Sequence, residues 1–159
     1  MQYIFISAIG LIILAIAVID AEHGVIPDKL LLMLGSISFV YIILSGSNSF
    51  LSHISTAVIS FLFFVLIFLI TRGRGIGFGD VKYSFFIGFL LSFAQLVIAF
   101  YLAFLTGAFI SIILVIGGRK KFRGDVIAFG PFLSFGFLTS LLFDKQIANF
   151  VMPFLGMQR

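Results

Sequence analysis

The sequence predicts an all-α polytopic membrane protein of six transmembrane helices, with its N- and C-termini on the non-cytoplasmic side. Composition, hydropathy and the placement of basic residues predict it. Of 159 residues, 62% are hydrophobic and 10% are charged, and mean hydropathy is +1.29. A soluble domain of this length needs a polar exterior that so few polar residues cannot supply. The net charge of +4 is gathered into a few short loops. That is the pattern of membrane topology, not the open basic face that binds nucleic acid. With no cysteine in the chain, disulfides and thiolate metal sites are excluded.

Spans follow from runs of roughly 20 apolar residues, the number that crosses a ~30 Å hydrocarbon core. The opening run, 2–20, lacks the basic n-region and A-x-A-like site of a cleaved signal, so it is expected to be a retained span ending at Asp20. "AEHGVIPDK" follows. Gly24 suits a helix end, Pro27 turns Ile26 away from helix, and Asp28 is expected to cap a second span at 29–45. After the uncharged "SGSNS" comes a third span at 50–71, then "RGRGIGFGDVK". The apolar run 81–116 is too long for one span and is expected to break at "SFAQ", giving a short fourth span and a fifth at 96–116. The cluster "RKKFRGD" precedes a last span from about Val126 to Phe143, and the remaining "DKQIANFVMPFLGMQR" reads as interfacial.

Loops after spans one, three and five carry Lys29, Arg72, Arg74, Lys82, Arg119, Lys120, Lys121 and Arg123, against Lys145 and Arg159 opposite. Positive-inside bias therefore puts the odd-numbered loops in the cytoplasm. Asp20 and Asp80 then share one cytoplasmic membrane boundary. Residues 1–159 read as a single membrane-embedded domain, without internal repeats or linkers. The 23 phenylalanines are spread over all spans and read as packing and lipid contact, not as a recognition stripe.

The chain has six acidic residues, and Asp20 and Asp80 abut apolar spans, where a carboxylate is costly and usually faces a bundle interior or a wet cavity. Taken singly, Asp20 also fits an interfacial residue and Asp80 an N-cap with Lys82 nearby. Gly73, Gly75, Gly77 and Gly79 exceed what a cap needs. Alternating glycine lets another backbone approach closely, though it also makes a loose interhelical loop. It is not a phosphate loop, since the G-K-[ST] ending is missing. Two carboxylates brought together hold one proton between them. The ionised member takes a proton from water while the protonated one donates to a carbonyl oxygen. That hydrolyses a peptide bond without metal or cofactor.

"IDAEHGVIPD" (19–28), "GIGFGDVK" (75–82) and "IAFGPFLSFG" (127–136) resemble, in order and spacing, the landmark segments of type IV prepilin peptidases. These are intramembrane aspartyl proteases of the GxGD type, and the resemblance covers essentially the whole chain. It implies that Asp20 and Asp80 are the catalytic pair, that Gly77 and Gly79 are the GxGD glycines beside the substrate, and that Asp28 is structural. It implies prepilin or pseudopilin substrates with a short basic leader and an apolar helix. These would be cut after a glycine by a multi-pass enzyme of the cell inner membrane whose active site faces the cytoplasm. It places Gly130 and Pro131 in a packing element of span six. Many bacterial members carry an additional cysteine-containing segment associated with N-methylation. The chain resembles a peptidase-only form, so methyl transfer is not expected.

Two other readings compete. A metalloprotease would draw on Asp20, Glu22, His23, Asp28 and Asp80, but no H-E-x-x-H occurs and His53 belongs to the far side. A small proton-coupled transporter would use the two acids as a relay, which calls for polar groups near mid-bilayer and access from both sides.

Overall fold

The computed structural model describes residues 2–44, 50–117 and 128–143. It contains six helices: α1 Gln2–His23, α2 Asp28–Leu44, α3 Phe50–Thr71, α4 Phe78–Leu90, α5 Phe93–Ile116 and α6 Gly130–Leu142. The "SGSNS" turn, the cluster Arg119–Arg123 and the C-terminal stretch from Asp144 lie outside the described residues.

Three helices are long and apolar enough to cross a membrane, within Ile4–His23, Phe50–Thr71 and Phe93–Leu114. Helix α2 has 17 residues, and α4 and α6 have 13 each, so at 1.5 Å per residue the last two rise only about 20 Å. The protein is a membrane protein, and its helices are apolar all round. Outward-facing Leu11, Leu69 and Ile116 are exposed at 68%, 64% and 81%, a surface that suits lipid and not water.

Each boundary has a local cause. Helix α1 runs three residues past the expected end at Asp20, because Ala21, Glu22 and His23 are compatible with helix. It stops at Gly24, whose φ of +66° is left-handed and whose N–H donates to the Asp20 carbonyl at 2.8 Å. Pro27 caps α2 through its carbonyl, which accepts from the Leu30 and Leu31 amides. Asp28 is thus the first helical residue and not the cap. The break between α4 and α5 falls at "SFAQ" as the sequence predicts. Gln95 Oε1 accepts from both the Ser92 amide (2.8 Å) and Ser92 Oγ (2.9 Å), a capping arrangement that starts α5 at Phe93, earlier than expected. Helix α6 begins at Gly130 with Pro131 in its first turn.

Helix α3 packs most extensively on α4, and α5 on α6, while α1 lies against α2 and α6. Lipid tails are as apolar as the side chains, so helix association relies on close packing and interhelical hydrogen bonds. Both occur here. A Cβ at Gly88 would stand 2.8 Å from the Thr56 carbonyl of α3, and one at Gly136 would collide with the Ala99 carbonyl of α5. Ser60 Oγ donates to the Ser84 carbonyl at 2.6 Å, and Ser140 Oγ to that of Gln95 at 3.0 Å.

The buried stripe of α1 is Ile9, Ile13, Ile16 and Asp20, one helical face at four- and three-residue steps. Asp80, Tyr83, Ser84 and Ile87 make the corresponding stripe of α4, and Gly130, Leu133, Ser134 and Phe137 that of α6. Both acids therefore continue inward-facing rows.

Candidate active site

Asp20, in the last turn of α1, is 4% exposed, and Asp80, in the first turn of α4, is 6% exposed. Both line a cavity of about 450 Å³, walled by the α1–α2 connection from Gly24 to Asp28 and by Gly77–Asp80 and Lys82. They lie near enough to interact electrostatically. The two carboxylates, far apart in sequence, thus face one cavity.

Each acid is fixed by one backbone amide. Asp80 Oδ2 accepts from the Gly77 N–H at 3.0 Å. The acid therefore sits three residues inside α4, bonding back to the helix start, and is not the N-cap: Gly77 holds that position. Asp20 Oδ2 accepts from the Gly130 N–H at 2.9 Å. Among the described residues, Asp80 Oδ1 is a buried side-chain oxygen with no hydrogen-bond partner. A buried carboxylate oxygen is costly unless something donates to it, so this atom is suited to a reacting water or a substrate group.

The glycines act through the space they leave. Gly77 has φ of −74° and ψ of 155°, a conformation any residue adopts. A Cβ there would stand 3.4 Å from Asp80 Oδ2, beside the carboxylate, and one on Gly79 would press on Ile26 Cβ at 3.2 Å. Of the four alternating glycines only Gly73 takes a left-handed φ, +71°.

Asp28 forms an ion pair with Lys82, whose Nζ also lies 5.6 Å from the centre of the Phe78 ring. The Asp28 side chain is 67% and that of Lys82 36% exposed, so the pair sits in solvent at the cavity edge. Such pairs contribute at most about 1 kcal/mol. Asp28→Asn is expected to retain activity within a few-fold and to leave the melting temperature in detergent almost unchanged. A near-complete loss of cleavage would make Asp28 part of the chemistry.

Among the described residues, no three His, Asp or Glu side chains cluster closely enough to hold a metal ion. Glu22 and His23 are exposed and lie outside the cavity lining. His53 Nδ1 donates to the Phe89 carbonyl at 3.0 Å, at the other end of α4.

Sequence reasoning placed Gly130 in a packing element and passed over Tyr83 and Ser134. Tyr83 is fully buried one turn below Asp80, and its hydroxyl is 2.8 Å from Ser134 Oγ. Ser134 Oγ donates to the Gly130 carbonyl at 2.8 Å. The available signals were spacings: a tyrosine three residues after the acid, and a serine four after the glycine in an apolar helix.

Comparison with protein families matches residues 6–112 to the type IV leader peptidase family. The chain belongs to that family. The match spans Asp20 and Asp80 and ends before Gly130. Among relatives named prepilin leader peptidase/N-methyltransferase, the Bacillus subtilis protein is 30% identical over 147 residues, covering 92% of this chain and 57% of that protein. The Pseudomonas aeruginosa relative is 31% identical over 151 residues, covering 91% and 51%. The Legionella pneumophila relative is 31% identical over 147 residues, covering 87% and 49%. The chain therefore spans about half the length of the curated relatives it matches. No solved structure matches it.

Proposed function

We propose that this member of the type IV leader peptidase family is an aspartic endopeptidase. It removes the short basic leader from type IV prepilins and pseudopilins at the cytoplasmic face of the cell inner membrane. The observation that carries this reading is the burial of Asp20 and Asp80 in the wall of one cavity, each with an oxygen tied to a backbone amide.

The pair holds one proton and acts as a unit. The ionised carboxylate takes a proton from water, and the resulting hydroxide attacks the scissile carbonyl carbon. The protonated carboxyl donates to the carbonyl oxygen, giving a neutral gem-diol. Collapse breaks the C–N bond, the amine takes up a proton, and the leader leaves with a new carboxylate. No cofactor enters this scheme. Gly77 and Gly79 leave room for the substrate backbone beside Asp80.

The topology proposed is six membrane-embedded helices in a single domain, termini outside and the odd-numbered loops in the cytoplasm. The substrate leader then stays in the cytosol while its apolar helix lies in lipid. That both acids line one cavity supports hydrolysis over a proton relay.

The test is incubation of the purified chain, in detergent or lipid, with a panel of prepilins, read by mass spectrometry. Expected is one cut after a glycine at the leader boundary, at a rate unchanged by a metal chelator. Failure to cut every prepilin overturns the reading, and loss of cutting on chelation overturns the metal-free mechanism.

A further inference from the structure

Helices α1 and α4, which carry the two acids, share no extensive interface with each other, whereas α6 packs on both. Helix α2 also packs on both, so α6 is one of two helices that set the distance between the acids, and it is the one whose backbone hydrogen-bonds to Asp20. We propose that Tyr83, Ser134 and the backbone of Gly130 form a strut that fixes Asp20 relative to Asp80. This rests on the reading of those acids as the reacting pair.

The hydrogen-bond directions follow from the groups. A carbonyl only accepts, so the single Ser134 proton goes to the Gly130 carbonyl at 2.8 Å. The Tyr83 hydroxyl, 2.8 Å away, must then donate to Ser134 Oγ. Gly130 in turn donates its N–H to Asp20 at 2.9 Å. One chain of three hydrogen bonds thus runs from α4, one turn below Asp80, through the first turn of α6, to the carboxylate on α1. Tyr83 is 0% and Ser134 2% exposed, so water does not compete for the bond between them. Proton transfer to and from a shared water needs both acids within hydrogen-bond reach of it. A misplacement of about 1 Å costs about 10²-fold in rate. Tyr83 and Ser134 hydrogen-bond to each other, and Ser134 to Gly130, but neither bonds to an acid; they are positioning residues.

Tyr83→Phe and Ser134→Ala each delete the Tyr83–Ser134 bond while preserving shape, and Ser134→Ala also deletes the bond to the Gly130 carbonyl. For either, kcat on a prepilin is expected to fall about 10- to 100-fold with KM unchanged, and the double variant to be no slower than the slower single one. The chain has no cysteine, so spin labels at Val25→Cys and Phe78→Cys, both exposed and on the cavity lining, report the spacing of its walls without any turnover. The interlabel distance distribution is expected to widen in Tyr83→Phe. Wild-type kcat with an unchanged distribution overturns the strut, as does a loss spread equally over kcat and KM. A distribution that widens in a protein that cuts no prepilin upholds the strut and refutes the peptidase reading.

Discussion

Asp80→Asn is expected to lower leader cleavage by about 10³-fold or more in a protein that stays folded and inserted. Asparagine keeps the shape of the side chain, and its amide oxygen can still accept the Gly77 N–H now bound to Asp80 Oδ2 at 3.0 Å. What it loses is the ability to take up and return a proton. The same argument applies to Asp20→Asn, whose amide oxygen can still accept from Gly130. With the acids acting as the unit proposed above, the double variant is expected to be no slower than either single one. Stability moves the other way. Both carboxyls are nearly inaccessible, and a neutral amide is less costly to bury than a charge, so melting temperatures in detergent stay level or rise. Initial rates on one prepilin, with melting curves on the same samples, check both halves. A single variant that cleaves within ten-fold of wild type would remove that acid from the mechanism.

Gly130→Ala is expected to be the most damaging change outside the acids. A Cβ at position 130 would lie 2.5 Å from Asp20 Oδ2 and 3.0 Å from its Cγ, so the carboxylate must move or α6 must retreat. Either displaces the acid from its amide donor by a distance comparable to the tolerance of a proton transfer, and cleavage falls by about 10²-fold. The fold has less at stake. The substitution introduces one methyl group at the start of a helix, an overpacking cost of about 1–3 kcal/mol, partly offset by the higher helix propensity of alanine. Cleavage that falls together with the population of folded protein, as judged by circular dichroism in detergent, would show a packing role alone. Wild-type cleavage would show that the Gly130 amide does not orient Asp20.

Much of this was legible in the chain. Six helices follow from the lengths of the apolar runs and the breaks between them. That Asp20 and Asp80 share one end of the bundle was legible from the order of the spans, whereas their pairing rests on the resemblance of "IDAEHGVIPD" and "GIGFGDVK" to the family's segments. Helix ends were less legible where the backbone itself decides them, as in the extension of α1 to His23 and the capping of α2 by the Pro27 carbonyl. Asp28 looks like a cap from its neighbours in sequence, because its partner Lys82 is 54 positions away. The Tyr83–Ser134 bond is invisible for the same reason, its partners being 51 positions apart. Local pattern reports which face of a helix is buried, but not which residue of another helix meets it there.

Asp20's anchor belongs to the main chain. Every amino acid except proline brings that donor to position 130, so mutational drift cannot erase it by altering chemical character, and only added volume threatens it. The constraint at this site is therefore on size. A search for a polar counterpart to Asp20 among the side chains would overlook the group that orients it.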